Sequence, residues 1–156
     1  MITLSKEQIK EIGDNLDAGL KCFYNKITHE VKEILDFDSH PGADEEPWQE
    51  FIEEIEEHFN DYVVFEPMES HESFRIMEEF ANAVDDNALK NSLIAALSRK
   101  HPFRNFKNII DYSGEYRQKW FDFKENKYIE YLIQQIQVFN NREEENREDE
   151  KDKKTE

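Results

Sequence analysis

Residues 21–35 read Lys21-Cys22-Phe23-Tyr24-Asn25-Lys26-Ile27, then Thr28-His29-Glu30, then Val31-Lys32-Glu33-Ile34-Leu35. Aromatic and β-branched residues alternate with polar ones on both sides of a polar trio, which is the period-two pattern of a half-buried β-hairpin. No glycine fixes the turn type. Further on, Tyr62-Val63-Val64-Phe65-Glu66-Pro67 is short, β-rich and stopped by proline, so it reads as a third strand that extends the hairpin's sheet.

The surroundings of these strands have helical periodicity. Ser5-Lys6-Glu7-Gln8 has the capping-box form and opens a helix with Ile9, Ile12 and Leu16 on one face, ending between Gly13 and Gly19. From Asp36 to Asp61 there are eleven acids and no Lys or Arg. The first part of that run, to Pro47, is a Pro- and Gly-containing connector. Pro47 suits a first helical turn, and Trp48, Phe51, Ile52, Ile55 and Phe59 then fall on one face, with Glu53, Glu54, Glu56 and Glu57 off it.

After the third strand the chain reads as helix. Ser70 is placed to cap a stripe of Phe74, Met77, Phe80, Ala81 and Val84. Asp86-Asn87 caps the next, with Leu89, Leu93, Ile94 and Leu97 inward, and Pro102 starts another with Phe103, Phe106, Ile109 and Ile110 inward. Ser113-Gly114 breaks it, and a last helix from about Glu115 to Phe139 would be about 37 Å long at roughly 1.5 Å per residue. That helix carries two stripes, Tyr116, Trp120 and Phe123 on one side and Phe121, Tyr128, Leu132 and Ile136 on another, to be covered by one thick core or by another chain. The expectation is α+β: a small antiparallel sheet of about three strands packed with mostly C-terminal helices, in a single globular domain over residues 1–140. From Arg142 the tail has no apolar residue, so 141–156 is expected to be a disordered charged tail.

Composition bounds the function. The 156 residues hold 37 acids against 20 bases, a net charge of −17, yet 12 Phe, 6 Tyr and 2 Trp supply a core that a disordered acidic chain would lack. The acidic balance disfavours nucleic acid and anionic membranes as partners. No stretch reaches the roughly 18 apolar residues of a membrane helix, and Met1-Ile2-Thr3-Leu4-Ser5-Lys6 lacks a signal peptide's apolar run, so a cytoplasmic location is expected. Cys22 is the only cysteine, which excludes an intramolecular disulfide and makes a buried, reduced thiol the expected state. The four glycines, at 13, 19, 42 and 114, are too scattered for a phosphate-cradling loop. His29-Glu30-Val31-Lys32-Glu33 lacks the second histidine of a zincin helix. Glu54 and His58 stand four apart on a helix, where an exposed charged pair is the simpler reading than a metal site. No metal ligand set, cofactor motif or catalytic constellation emerges.

Residues 98–127 depart from this acidic background: eight bases against four acids, a net +4, which leaves −21 for the rest of the chain. Arg104 and Lys107 share the outer face of the helix that Pro102 begins, near free N–H groups, with Arg99, Lys100 and His101 just before it. These five residues form a candidate site for a phosphate-bearing ligand or an acidic protein segment. The competing reading pairs the same bases with the chain's own acidic helix around Glu53 to Glu57.

Met77-x-x-Phe80, Leu89-x-x-x-Leu93, Pro102-Phe103-Arg104-x-Phe106-Lys107 and Trp120-x-x-Phe123, in that order, resemble the bacterial Uncharacterised Protein Family 0158 over roughly residues 62–136. In that family's pattern the positions of Asn105 and Asn108 are more often basic and acidic. The family has no established activity, so the resemblance implies a single intracellular bacterial domain and no catalytic residues. The expected function is therefore a small non-enzymatic binding or regulatory module with a basic recognition surface at a helix start. The alternatives are an acidic nucleic-acid mimic that occupies a basic partner, and a metal-dependent enzyme using surface carboxylates.

Overall fold

The computed structural model describes residues 1–155. Nine regular elements follow in order: α1 (Lys6–Asp17), β1 (Leu20–Asn25), β2 (Val31–Leu35), α2 (Gln49–Glu57), β3 (Tyr62–Phe65), α3 (Ser70–Ala83), α4 (Asn87–Leu97), α5 (Pro102–Asp111) and α6 (Glu115–Thr155). The architecture is α+β, with one three-stranded antiparallel sheet ordered β2-β1-β3 and helices filling the C-terminal half. Packing divides the chain into two compact units. One comprises Met1–Pro67 with the chain from Tyr128 onward; the other is Met68–Lys127.

In the first unit the capping box forms: Ser5 Oγ accepts from Gln8 N at 3.1 Å while Gln8 Oε1 accepts from Ser5 N at 3.0 Å. The hairpin turn solves its lack of glycine with one side chain and one backbone conformation. Asn25 Oδ1 accepts from the N–H groups of Ile27 and Thr28 at 2.8 and 3.1 Å, and His29 adopts φ 64°, the left-handed region that glycine usually fills. Strand alternation then sorts the core. Phe23 and Ile34 face Ile55, Phe51 and Ile52 of α2, with Phe23 and Phe51 edge to face at 5.7 Å. Cys22, Tyr24 and Phe65 take the opposite face, on which α1 packs and Gly13 lies against Tyr128 and Leu132 of α6. Phe59 differs from expectation. It is 68% exposed because α2 ends at Glu57 and Phe59 opens a 3₁₀ turn, off the helical face.

The second unit is a helical cluster around Met77, Phe80, Leu93, Leu97, Phe106, Ile110 and Trp120, with the Trp120 ring 4.9 Å from Phe106 and 5.3 Å from Phe80. Asp86 caps α4 through its carboxylate, which accepts from Leu89 N at 2.9 Å. Three local expectations need correction. Ser70 is the first residue of α3 rather than its cap, a place taken by Glu69 without a side-chain bond. Ile94 is 38% exposed because the buried stripe of α4 runs through Leu93, Ala96 and Leu97, about 100° away from it. Phe103 is 44% exposed: it sits in the first turn of α5, at the margin of the stripe formed by Phe106 and Ile110.

The apolar residues of α6 divide between the two units. Trp120, with Tyr116, Phe121 and Phe123, belongs to the core of the second unit, whereas Tyr128 and Leu132 are buried in the first. The helix also continues through the charged segment to Thr155, where Glu143/Arg147, Asp149/Lys153 and Glu150/Lys154 place acid before base at the i,i+4 spacing that supports an exposed helix. Where that segment begins, Asn140 clamps the N-terminus: its Oδ1 accepts from Ile2 N at 2.7 Å and its Nδ2 donates to Ile2 O at 3.1 Å. Glu143 lies 2.6 Å from the Met1 amine, and this contact holds its carboxyl below the usual range. Among the described residues no helix is long and apolar enough to cross a membrane.

Candidate binding surface at the start of α5

The five residues of the basic stretch fall in one turn and one helix of the second unit. Arg99 and Lys100 follow Ser98, the C-cap of α4. His101 is the N-cap of α5, at φ 57°, a left-handed conformation that lets the chain reverse between the two helices, and its side chain makes no capping bond. Asn105 braces the turn by donating from Nδ2 to Lys100 O at 2.8 Å. Pro102 has no N–H, so the uncapped amides at the helix start are those of Phe103 and Arg104. Arg104 and Lys107 lie exposed on the outer face, beside the half-exposed Phe103 ring.

The structure separates the eight bases of residues 98–127 into two groups. Arg117 pairs with Asp111 at 3.6 Å and covers the Phe121 ring, and Lys119 pairs with Glu115 at 3.9 Å over Tyr116. Lys127 reaches Glu79 at 3.1 Å, and Lys124 lies over Trp120 and Phe121. Arg99, Lys100, Arg104 and Lys107 are different: among the described residues none has a carboxylate oxygen within 4.0 Å. The acidic helix finds its partners locally instead, Glu54 with Lys32 at 3.6 Å and with the Tyr62 hydroxyl at 3.1 Å, and Glu53 with Gln49 at 3.2 Å.

Other groupings are chemically quieter. Glu54 is engaged as described, and His58 Nδ1 lies 3.9 Å from Asp61, so the two helical neighbours have different partners. His29 Nδ1 is 2.8 Å from the Tyr24 hydroxyl, in the turn. Sequence reading missed Glu69, His71 and Glu72, whose ligand atoms lie within 4.8 Å of one another; the signal was an acid-flanked histidine at a helix start. It also missed a cleft of about 290 Å³ floored by Phe80, Val84 and Phe123, with Asp85 and Tyr116 at its mouth. There Tyr116 donates to Asp85, a bond that pushes the phenol up to about 12 and holds the Asp85 carboxyl below its usual range, so neither exchanges protons near neutrality. Cys22 is fully buried, and desolvation with the nearby charge of Glu33 pushes its thiol up to about 12, far from a reactive thiolate. Around Lys21, Asp36, Asp38 and Glu66 each stand at 3.6 Å; burial alone would lower the lysine pKa, but the three carboxylates outweigh it and raise it. The ammonium fills that acidic pocket as a structural cation.

No curated protein and no solved structure matches the chain. The family model described as Uncharacterised protein family (UPF0158) matches residues 8–153, taking in the hairpin and α2 as well as the helical half that carries the Phe-Arg-x-Phe-Lys segment. With nearly the whole sequence inside that match, the chain belongs to the uncharacterised protein family UPF0158.

Proposed function

We propose that this protein is a binding module which uses Arg99, Lys100, Arg104 and Lys107 to hold an acidic segment of another protein. One observation carries the reading: in a chain of net charge −17, these four exposed cations lack carboxylate partners among the described residues while the other four bases of the same stretch are engaged. Unpaired cations close together, next to free amides at a helix start, attract anions. The half-exposed Phe103 favours a peptide over free phosphate, because it offers an apolar side chain of the ligand a surface to cover. His101 stands at the edge of this surface and shapes it through its backbone.

The test is a pull-down from nuclease-treated lysate with the wild type beside an Arg104→Ala/Lys107→Ala variant, scored by mass spectrometry. The proposal requires a protein carrying an acidic segment that the wild type captures and the variant does not, with the melting temperature unchanged. Equal capture, no capture, or displacement of the partner by millimolar inorganic phosphate alone would remove it. A large fall in stability would make the two residues structural.

A further inference from the structure

β2 is an edge strand, paired only with β1. The ladder is framed by Asn25 N donating to Glu30 O at 2.9 Å and Asp36 N donating to Gly19 O at 3.2 Å. With Phe23 opposite Lys32 and Lys21 opposite Ile34, the backbone groups of Lys32 and Ile34 turn toward β1, and those of Val31, Glu33 and Leu35 turn outward. Among the described residues no hydrogen bond reaches the outward groups. The other edge, β3, is only four residues long, and beyond its end the Tyr131 hydroxyl donates to Glu66 O at 3.1 Å.

The open edge borders a groove. About 460 Å³ in volume, it is lined by Val31 and Glu33 of the strand and by Trp48, Glu50, Phe51 and Glu54 from the start of α2 and the turn before it. Trp48 and Phe51 are only partly buried there. The charge is one-sided: Lys32 is neutralised by Glu54 at 3.6 Å, whereas Glu33 and Glu50 have no Lys or Arg nitrogen within 4.0 Å among the described residues.

From this juxtaposition we infer a second binding site, on a different unit and of opposite charge to the first: the β2 edge accepts an extended segment of a partner protein in which lysine or arginine alternates with apolar residues. Outward N–H and C=O groups on every second residue match the repeat of an added strand, which no compact small molecule offers. The ligand's apolar side chains fall on the α2 face of the sheet and cover Trp48 and Phe51, while its cations, on the other face, meet Glu33, which the register places opposite Cys22. A second copy of this chain is a poor occupant. Antiparallel pairing of two β2 edges about a twofold at Glu33 sets like charges directly opposite, between molecules of net charge −17.

The full chain is titrated, at roughly 0.15 M salt to screen non-specific attraction, with a fluorescent peptide of four Lys-Val repeats. The comparisons are a Glu-Val peptide, two Lys-Val peptides N-methylated at one or the other set of alternate residues, and the protein variants Val31→Pro and Glu33→Lys. Saturable binding of the Lys-Val peptide is expected, with at least about a tenfold loss for one of the two N-methylated sets and for Val31→Pro, since each deletes strand hydrogen bonds without changing charge. Glu33→Lys, which keeps the strand's backbone groups, should weaken binding severalfold. If Val31→Pro does not fold, the N-methylated peptides decide the point alone. Absence of saturable binding, equal binding of the Glu-Val peptide, or indifference to both N-methylations overturns the inference, as does a wild-type dimer in sedimentation that Val31→Pro dissociates.

Discussion

Replacing Gly13 by alanine should stabilise this protein. Gly13 is buried in the middle of α1, and nothing about its backbone requires glycine: its φ is not among the positive values, which fall at Gly19, Gly42 and Gly114. A Cβ built there would lie 3.5 Å from Tyr128 Cβ and 3.7 Å from Leu132 Cδ1, which is ordinary van der Waals contact. Glycine within a helix costs about 0.8–1.0 kcal/mol relative to alanine, because the unfolded chain loses more freedom on ordering. The new methyl adds a few contacts of about 0.1–0.2 kcal/mol each. A net gain of roughly 1 kcal/mol, with a urea slope of about 1–3 kcal/mol per molar, raises the midpoint by roughly 0.3–1 M. Gly13→Leu has no such room, since its branches extend past the Cβ into Tyr128 and Leu132, and it should lose about 1–3 kcal/mol. Urea unfolding followed by circular dichroism reads both. A lowered midpoint for alanine, or an unchanged one for leucine, would refute the packing of α1 against α6 described here.

Three further outcomes follow from burial and charge. Cys22, with its pKa moved from the ordinary 9.0 to about 12, keeps its proton in the native state while the unfolded chain ionises. Between those values its contribution to stability therefore falls as pH rises, by about 1.4 kcal/mol per pH unit, so wild type should lose more stability than Cys22→Ala in alkaline urea titrations; equal losses would contradict the burial. Phe106→Ala should cost about 3–5 kcal/mol whereas Phe103→Ser costs under about 1 kcal/mol, a contrast that thermal melts will show and that near-equal losses would deny. Ending the chain at Glu143 should leave the melting temperature almost unchanged, whereas ending it at Phe139 removes both the Asn140 clamp and the Glu143 ion pair and should lower it.

Much of the fold was legible because its signals are local. The capping box at Ser5, the Asp86 cap, Pro102 at a helix start and the break at Ser113-Gly114 depend on residues within a few positions of one another, and each element begins or ends where they stand. The hairpin turn was half legible: Asn25 is a good turn former by its side chain, but a histidine at φ 64° has no compositional signature. Misread positions lie where a helix face meets its margin or its end, as with Phe59, Ile94 and Phe103, because periodicity gives the direction of a side chain and not how far the neighbouring element extends to cover it. The division into two compact units was not legible, since α6 crosses it as one unbroken helix with no Pro or Gly at Lys127–Tyr128.

The candidate sites show why net charge was a weak guide to ligands. Screening limits an exposed charge to about 8 Å at physiological ionic strength, so a ligand responds to the few groups beside it and hardly to a total of −17. Which groups are available is decided by pairing, and pairing is tertiary. Arg117 and Arg104 look alike in sequence, yet one is held by Asp111 and the Phe121 ring while the other has no carboxylate within 4.0 Å among the described residues. Lys32 and Lys107 differ in the same way, the first spent on Glu54. The sheet edge carries the same logic into the backbone: alternation identifies β2 as a strand, but only the strand order β2-β1-β3 leaves Val31, Glu33 and Leu35 with outward groups unpaired. If unpaired groups of fixed direction set what a surface binds, the start of α5 takes an anion and the β2 edge a basic strand, and one set of charge and backbone variants separates the two.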